Sequence, residues 1–177
     1  MGVSVVPLIS EDEIRTRVRE LSFDISSDFD GAVLHVVGIL KGAWVFMADL
    51  VRQLTIPVTA DFIAVASYGS GTESSGEITL VSDLRDSIEG KNVLLIEDIV
   101  DTGFSLQFLL RTLSQRKPRT LKTCALLDKP DRHEVEVKVE YVGFTVPDRF
   151  VVGYGIDYDE RFRNLPYIGY VETAESG

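Results

Sequence analysis

The sequence predicts an α/β fold with a mostly parallel central sheet flanked by helices. Three observations carry this: strand patterns alternate with helix patterns along the chain, several strands are apolar throughout, and acids collect where one of those strands ends. A strand with no polar face is buried on both sides, and a parallel neighbour is reached by a crossover, usually a helix. In such sheets ligands bind at the carboxyl ends of the strands.

The elements follow in order. Ser10 to Glu13 forms a capping-box pattern, and Ile14, Val18 and Leu21 follow at helical spacing, which predicts a helix over 11–27. AVLHVVGIL (32–40) reads as a buried strand and GAWVFMADLVRQL (42–54) as a helix. VTADFIAVASY (58–68) and EITLVS (77–82) read as strands, and GKNVLLIED (90–98) as another buried strand introduced by Gly90. Leu106, Leu109, Leu110 and Leu113 set a helix that begins near Phe104 or Ser105. RTLKTCALLD (119–128), VEYVGF (139–144), FVVGY (150–154) and Tyr167 to Val171 complete the strands.

At 177 residues the chain fits one domain with a sizeable core, and 45% hydrophobic with 26% charged residues is globular usage, which excludes a disordered or low-complexity protein. The net charge of −10 argues against nucleic acid and anionic membranes as partners, because phosphate backbones are met by Lys and Arg. A phosphate-bearing ligand must then be held locally, by backbone N–H groups, a few placed cations or a metal. No apolar run approaches the roughly 20 residues of a membrane span, and MGVSVVPLISEDE lacks the features of a signal peptide, so a cytoplasmic protein is expected. Cys124, in LKTCALL, reads as a small buried hydrophobe. His35 reads as a strand residue and His133 as exposed, with no Cys/His metal cluster.

VLLIEDIVDTGFSL (93–106) concentrates the chemistry. Crowded carboxylates repel and resist leaving water unless a cation or hydrogen-bond donor meets them, so Glu97, Asp98 and Asp101 at the end of a buried strand ask for a ligand. The strand delivers Glu97 and Asp98, a short loop carries Asp101, Thr102 and Gly103, and the following helix N-terminus offers free N–H groups to an anion. Two acids beside a phosphate site suit a sugar phosphate. One acid alone would be read as a helix cap.

This stretch resembles the phosphoribosyl-pyrophosphate signature of type I phosphoribosyltransferases: apolar strand, two acids, two apolar residues, then D-T-G. L-K-G at 40–42, S-Y-G-S-G-T-E-S-S-G at 67–76, L-L-D-K-P at 126–130 and V-P-D-R-F-V-V-G-Y-G-I-D-Y-D-E-R-F-R-N-L-P-Y-I-G at 146–169 resemble, in the same order, the hypoxanthine-guanine phosphoribosyltransferases. The resemblance implies a core at about 28–145 and a small hood made of the N-terminal segment and about 146–177. It implies transfer of the phosphoribosyl group of phosphoribosyl pyrophosphate to hypoxanthine or guanine, giving IMP or GMP and pyrophosphate.

Carried over residue by residue, the resemblance assigns Glu97 and Asp98 to the ribose hydroxyls, Asp101 to purine N7 as the catalytic acid-base group, and Thr102, Gly103, Phe104 and Ser105 to the 5′-phosphate. Lys41 and Gly42, in a loop that carries a cis peptide in the family, Ser67 and Tyr68 of a mobile flap, and Arg163 go to pyrophosphate. Lys129 goes to the purine 6-oxo group, Phe150 to stacking on the base, and Val151 and Asp157 to the ring edge. Mg²⁺ is implied, held by Asp157 with Glu97 and Asp98, as is a homodimer or homotetramer. Phe104, where the family is commonly polar, and Ser105, where threonine is frequent, depart from the pattern without removing backbone donors. Taken alone, Lys41, Lys129 and Arg163 could be surface cations, Arg163 pairing with Asp159 or Glu160, and Phe150 could be core. Two rival functions fit less well: an RNA-binding regulator on this fold needs a basic face, and an aspartic protease needs a second aspartate turn.

Overall fold

The computed structural model describes residues 3–68 and 77–173. Its elements in chain order are β1 (Val3–Ile9), α1 (Glu11–Asp28), β2 (Leu34–Leu40), α2 (Trp44–Val51), β3 (Val58–Tyr68), β4 (Glu77–Ser82), β5 (Asn92–Val100), α3 (Phe104–Ser114), β6 (Thr120–Asp128), β7 (Tyr141–Thr145), β8 (Val151–Val152) and β9 (Ile168–Thr173). A single 3₁₀ turn, Pro130–Arg132, follows β6.

The main sheet runs β4-β3-β2-β5-β6-β7. Every neighbouring pair in it is parallel except β3 and β4. The connection between those two, 69–76, is shorter than the dozen or so residues a parallel crossover needs, so they pair as an antiparallel hairpin. The predicted α/β class with a mostly parallel sheet is therefore what the chain adopts.

The apolar strands are apolar because helices cover both faces. Along β5, Leu94 and Ile96 enter one core with Ile14, Val18, Leu21 and Ile25 of α1 and Phe46 and Leu50 of α2. Val93 and Leu95 enter the other, with Leu106, Leu109 and Leu113 of α3. Alternation by two thus persists, with both parities apolar. Leu21 is fully buried, and truncating it to alanine would cost about 2–5 kcal/mol.

Four local expectations needed correction. α2 is shorter than its apolar pattern, ending in a tight turn where Gln53 N–H donates to Leu50 O. β5 runs past the acid pair because β6 keeps pairing with it, Ile99 to Leu127 and Val100 to Asp128. β8 is two residues long, and β1, which no periodicity announces, pairs antiparallel with β9 to build a second sheet in the order β1-β9-β8. His133 is half-buried, its Nε2 2.8 Å from Asp128 Oδ1. Cys124 is buried as expected, and burial pushes its thiol pKa far up, so it is inert. No described helix is long and apolar enough to cross a membrane.

Candidate active site

Because β2, β5 and β6 are parallel neighbours, their carboxyl ends meet on one edge of the sheet. They deliver the Leu40–Gly42 loop, the Glu97/Asp98 pair with Asp101, and Lys129. The Leu40–Lys41 peptide is cis. Gly42 lies so close to Asp98 that a Cβ there would sit 1.7 Å from Oδ2, and a Cβ on Gly155 would sit 2.3 Å from Gly42 O. Asp98, the loop at Gly42 and the segment at Gly155 are therefore stacked in direct contact, with no room for a side chain at either glycine.

Glu97 is buried. Loss of water and then the adjacent Asp98 charge push its carboxyl well above the usual carboxylate range. Asp98 is also raised, by burial first, against lowering contributions from hydrogen bonding with Glu97, from the backbone N–H groups of Asp98 and Ile99, and from the Arg163 charge. Two neighbouring acids that resist carrying two charges would be relieved by a nearby cation or hydrogen-bond donor.

The two long helices begin in opposite ways. At α1, Ser10 and Glu13 close a reciprocal capping box and Glu11, Asp12 and Glu13 fill the first turn. At α3 the cap is Gly103, at φ +89°, with no side-chain cap and no acid in the first turn. Gln107 N–H closes the first helical bond to Gly103 O, leaving the preceding N–H groups of the turn as unfilled donors suited to an anion. Thr102 and Ser105 flank this turn, and Phe104 opens the helix.

Next to it, Asp101 and Lys129 come together. Lys129 is buried, and its Nζ lies 3.7 Å from Asp101 Oδ2 and 4.0 Å from Asp148 Oδ1. Arg132 Nε donates to Asp101 Oδ1 at 2.9 Å, and its Nη1 lies 3.6 Å from Asp148 Oδ2. The sequence reading missed Arg132 and Asp148. The available signal was the spacing Lys129-Pro130-Asp131-Arg132, since residues three apart eclipse in a 3₁₀ turn.

Across the site, Arg163 is largely buried. Its Nη2 pairs with Asp157 Oδ1 at 2.9 Å and Glu160 Oε1 at 3.4 Å, and its Nη1 donates to Gly155 O at 2.9 Å. The surface pairing with Asp159 is not formed; Arg161 takes that partner at 3.1 Å. Lys41 Nζ, exposed, meets Glu160 Oε2 at 3.0 Å. Glu160 was overlooked as a site residue, and its carboxyl is lowered, first by the hydrogen bond from Lys41. Phe150 is not core: it is 57% exposed and packs edge-to-face on Tyr158 at 5.2 Å, while Val151 is buried in β8. Ser67 and Tyr68 end β3, and the rest of the expected flap, 69–76, lies outside the described residues.

Among the described residues no three His, Cys, Asp or Glu side chains form a ready-made metal cluster. The expected trio of Glu97, Asp98 and Asp157 is thus no preformed cage. Asp157 already pairs with Arg163 and accepts from Glu160 N–H at 2.9 Å. A cavity of about 860 Å³ opens behind the 160–166 segment, against α1 and α2, and shares only Arg163 with the predicted site, Glu160 also lining it.

Residues 10–159 match the phosphoribosyl transferase domain family. The chain is 50% identical over 162 residues to the bifunctional protein TilS/HprT of Listeria monocytogenes, covering 92% of this chain but spanning about a quarter of that relative's length (25%). It is 47% identical to the hypoxanthine-guanine phosphoribosyltransferase of Bacillus subtilis, over 94% of this chain and 93% of that one. The crystal structure of a hypoxanthine-guanine phosphoribosyltransferase from Bacillus anthracis superposes with a TM-score of 0.90 at 46% identity, covering 97% of this chain and 100% of that chain. With the family's domain matched over most of its length and near-full-length relatives this similar, the chain belongs to the hypoxanthine-guanine phosphoribosyltransferase family.

Proposed function

We propose that the protein transfers the phosphoribosyl group of phosphoribosyl pyrophosphate to hypoxanthine or guanine, releasing pyrophosphate and forming IMP or GMP. The observation that carries this reading is the meeting of Asp101 and Lys129 beside the uncapped N-terminus of α3 and the pair of buried Glu97 with Asp98.

In the reaction the C1′–oxygen bond to pyrophosphate breaks, a C1′–nitrogen bond to the purine forms, and the purine loses a proton. Thr102 to Ser105 hold the 5′-phosphate with backbone N–H groups and hydroxyls. Glu97 and Asp98 accept hydrogen bonds from the ribose hydroxyls, and their negative field stabilises the positive charge that grows on the sugar as the leaving group departs. Asp101 accepts the proton at N7, the acid-base step. Lys129 supplies a donor to the 6-oxo oxygen, Phe150 offers its exposed face to the ring, and Val151 and Asp157 border its edge. Lys41, Gly42 and Arg163, with Ser67 and Tyr68, attend pyrophosphate.

Mg²⁺ fits this donor set. It prefers oxygen ligands, keeps several waters and needs only one or two carboxylates beside substrate phosphates, so Asp157, Glu97 and Asp98 can serve without a preformed cage. Held by these residues, the ion would supply positive charge to offset that of the departing pyrophosphate. A single domain with a hood around the β1-β9-β8 sheet, a cytoplasmic location and a homodimer or homotetramer belong to the same reading, resting on family membership.

The test is to incubate the protein with phosphoribosyl pyrophosphate, Mg²⁺ and each nucleobase separately and identify the nucleotide formed. IMP or GMP is expected, adenine should react poorly because its 6-amino group presents a donor to Lys129, and chelation should stop turnover. Failure to form either nucleotide would overturn the proposal.

A further inference from the structure

Asp101 is held by a device that the reaction does not require by itself. The turn Lys129-Pro130-Asp131-Arg132 is fastened to the loop after β5 on both sides of Asp101: Lys129 N–H donates to Val100 O at 2.9 Å and Glu134 N–H donates to Thr102 O at 3.0 Å. Within the turn, Arg132 N–H donates to Lys129 O at 2.9 Å, which closes one 3₁₀ ring and puts both cations on the same side.

The two oxygens of Asp101 then have different surroundings. Oδ1 takes the Arg132 Nε proton at 2.9 Å. Oδ2 lies 3.7 Å from Lys129 Nζ, beyond hydrogen-bond range, so neither group is spent on the other. Asp148 completes the arrangement, 3.6 Å from Arg132 and 4.0 Å from Lys129. Two carboxylates and two cations alternate around a square, and its charges cancel.

On the purine this geometry has a counterpart. N7 and O6 of a 6-oxopurine lie side by side on one ring edge. During transfer N7 carries a proton that needs an acceptor, and O6 needs a donor. Asp101 Oδ2 and Lys129 Nζ form such an acceptor and donor side by side, provided Asp101 does not rotate. A carboxylate held through one oxygen by a planar, permanently charged guanidinium cannot swing its second oxygen freely.

We propose that Arg132 is a positioning residue: it pins Asp101 through Oδ1 and so keeps Oδ2 beside Lys129, matched to the N7–O6 edge. Asp148 faces the other end of the guanidinium, 3.6 Å from Nη1. The inference rests on the functional reading above and goes beyond it, since Arg132 touches neither sugar nor phosphate in that reading.

The experiment compares Arg132→Gln, Arg132→Lys, Asp101→Asn and the double variant Asp101→Asn/Arg132→Gln with the wild type, using hypoxanthine, phosphoribosyl pyrophosphate and Mg²⁺. Loss of orientation at a reacting group costs up to about 100-fold, so kcat of Arg132→Gln should fall roughly 10- to 100-fold while KM for phosphoribosyl pyrophosphate changes less than about 2-fold. Arg132→Lys should recover only part of kcat, because an ammonium lacks the fork. With Asp101→Asn already present, removing Arg132 should cost little more, since the pair acts as a unit. Wild-type kcat in Arg132→Gln, full recovery by lysine, or additive losses in the double variant would each overturn the inference. Wild-type protein forming no nucleotide would instead sink the functional reading itself. An active wild type in which Asp101→Asn collapses and Arg132→Gln does not would sink only the role of Arg132.

Discussion

The two ends of the site solve the same electrostatic problem with different rigidity. At the base end Lys129 and Arg132 face Asp101 and Asp148, with the Lys129 side chain only 7% exposed and its turn fastened by backbone bonds. At the pyrophosphate end Lys41 and Arg163 face Asp157 and Glu160, with the side chains of Lys41 and Glu160 67% and 66% exposed. Both ends are neutralised without a ligand. On the proposed reading, purine recognition would rest on the buried Lys129 ammonium in its fastened turn, whereas pyrophosphate would meet Lys41, whose partner Glu160 is largely in water and exchanged easily. Buried pairs depend on geometry and exposed pairs are screened, so substitutions should separate the ends by size of effect.

The largest effect belongs to Asp101. Asp101→Asn keeps the size of the side chain but removes the proton acceptor, and kcat should fall roughly 10²- to 10⁴-fold with little loss of phosphoribosyl pyrophosphate binding. Steady-state kinetics with hypoxanthine decides it, and a kcat near wild type would place the acid-base group elsewhere. Lys129→Met comes next: it retains the stem and deletes the donors, so kcat/KM for hypoxanthine and guanine should drop roughly 10- to 100-fold while adenine stays poor or improves slightly. Unchanged kcat/KM for hypoxanthine would mean that the buried ammonium does not read the purine.

A smaller effect is expected at the exposed end, and in the opposite direction. Glu160 occupies Lys41 and Arg163, at 3.0 and 3.4 Å, as an anion would, so on the proposed reading pyrophosphate would displace it. Glu160→Gln should therefore tighten pyrophosphate binding roughly 2- to 5-fold, the scale of an exposed ion pair, with kcat for nucleotide formation changed little. Titration calorimetry at low and moderate salt checks this; weaker binding in the variant would show that Glu160 supports the site.

The smallest effect is a pH dependence of the ligand-free protein. Glu97 has its folded pKa raised by burial and by Asp98, so the folded state binds more protons than the unfolded one, and this group's contribution falls as pH rises from the ordinary carboxylate range through the raised value. Glu97→Gln removes that titration. The Tm of Glu97→Gln relative to wild type should accordingly increase as pH rises over that window. A difference independent of pH would mean that the pair is not strained by its charge.

Much of this was legible in the residues. The apolar run Val93 to Ile96 and the leucine stripe from Leu106 to Leu113 require a strand and a helix whatever surrounds them, because spacing alone puts those side chains on faces that must be buried. The D-T-G turn after two acids pointed to the candidate site, since a strand of that kind ends where a parallel sheet binds ligands. The second sheet was not legible: β1 finds its partner β9 at the far end of the chain, Val3 opposite Thr173, and no local pattern records so distant a pairing.

The sequence by itself therefore determined the fold class, the order of most elements and the edge of the sheet that carries the acids, all consequences of side-chain period and local backbone preference. Only the tertiary structure decided which charges face which. Lys41 and Glu160 are separated by 119 positions, and Arg132 and Asp101 by 31, yet each pair is in contact because parallel strands bring their ends together and the segment around Glu160 lies against them. Coulomb attraction and hydrogen bonding act over a few ångströms in space, and sequence spacing measures that distance only within a turn or a helix.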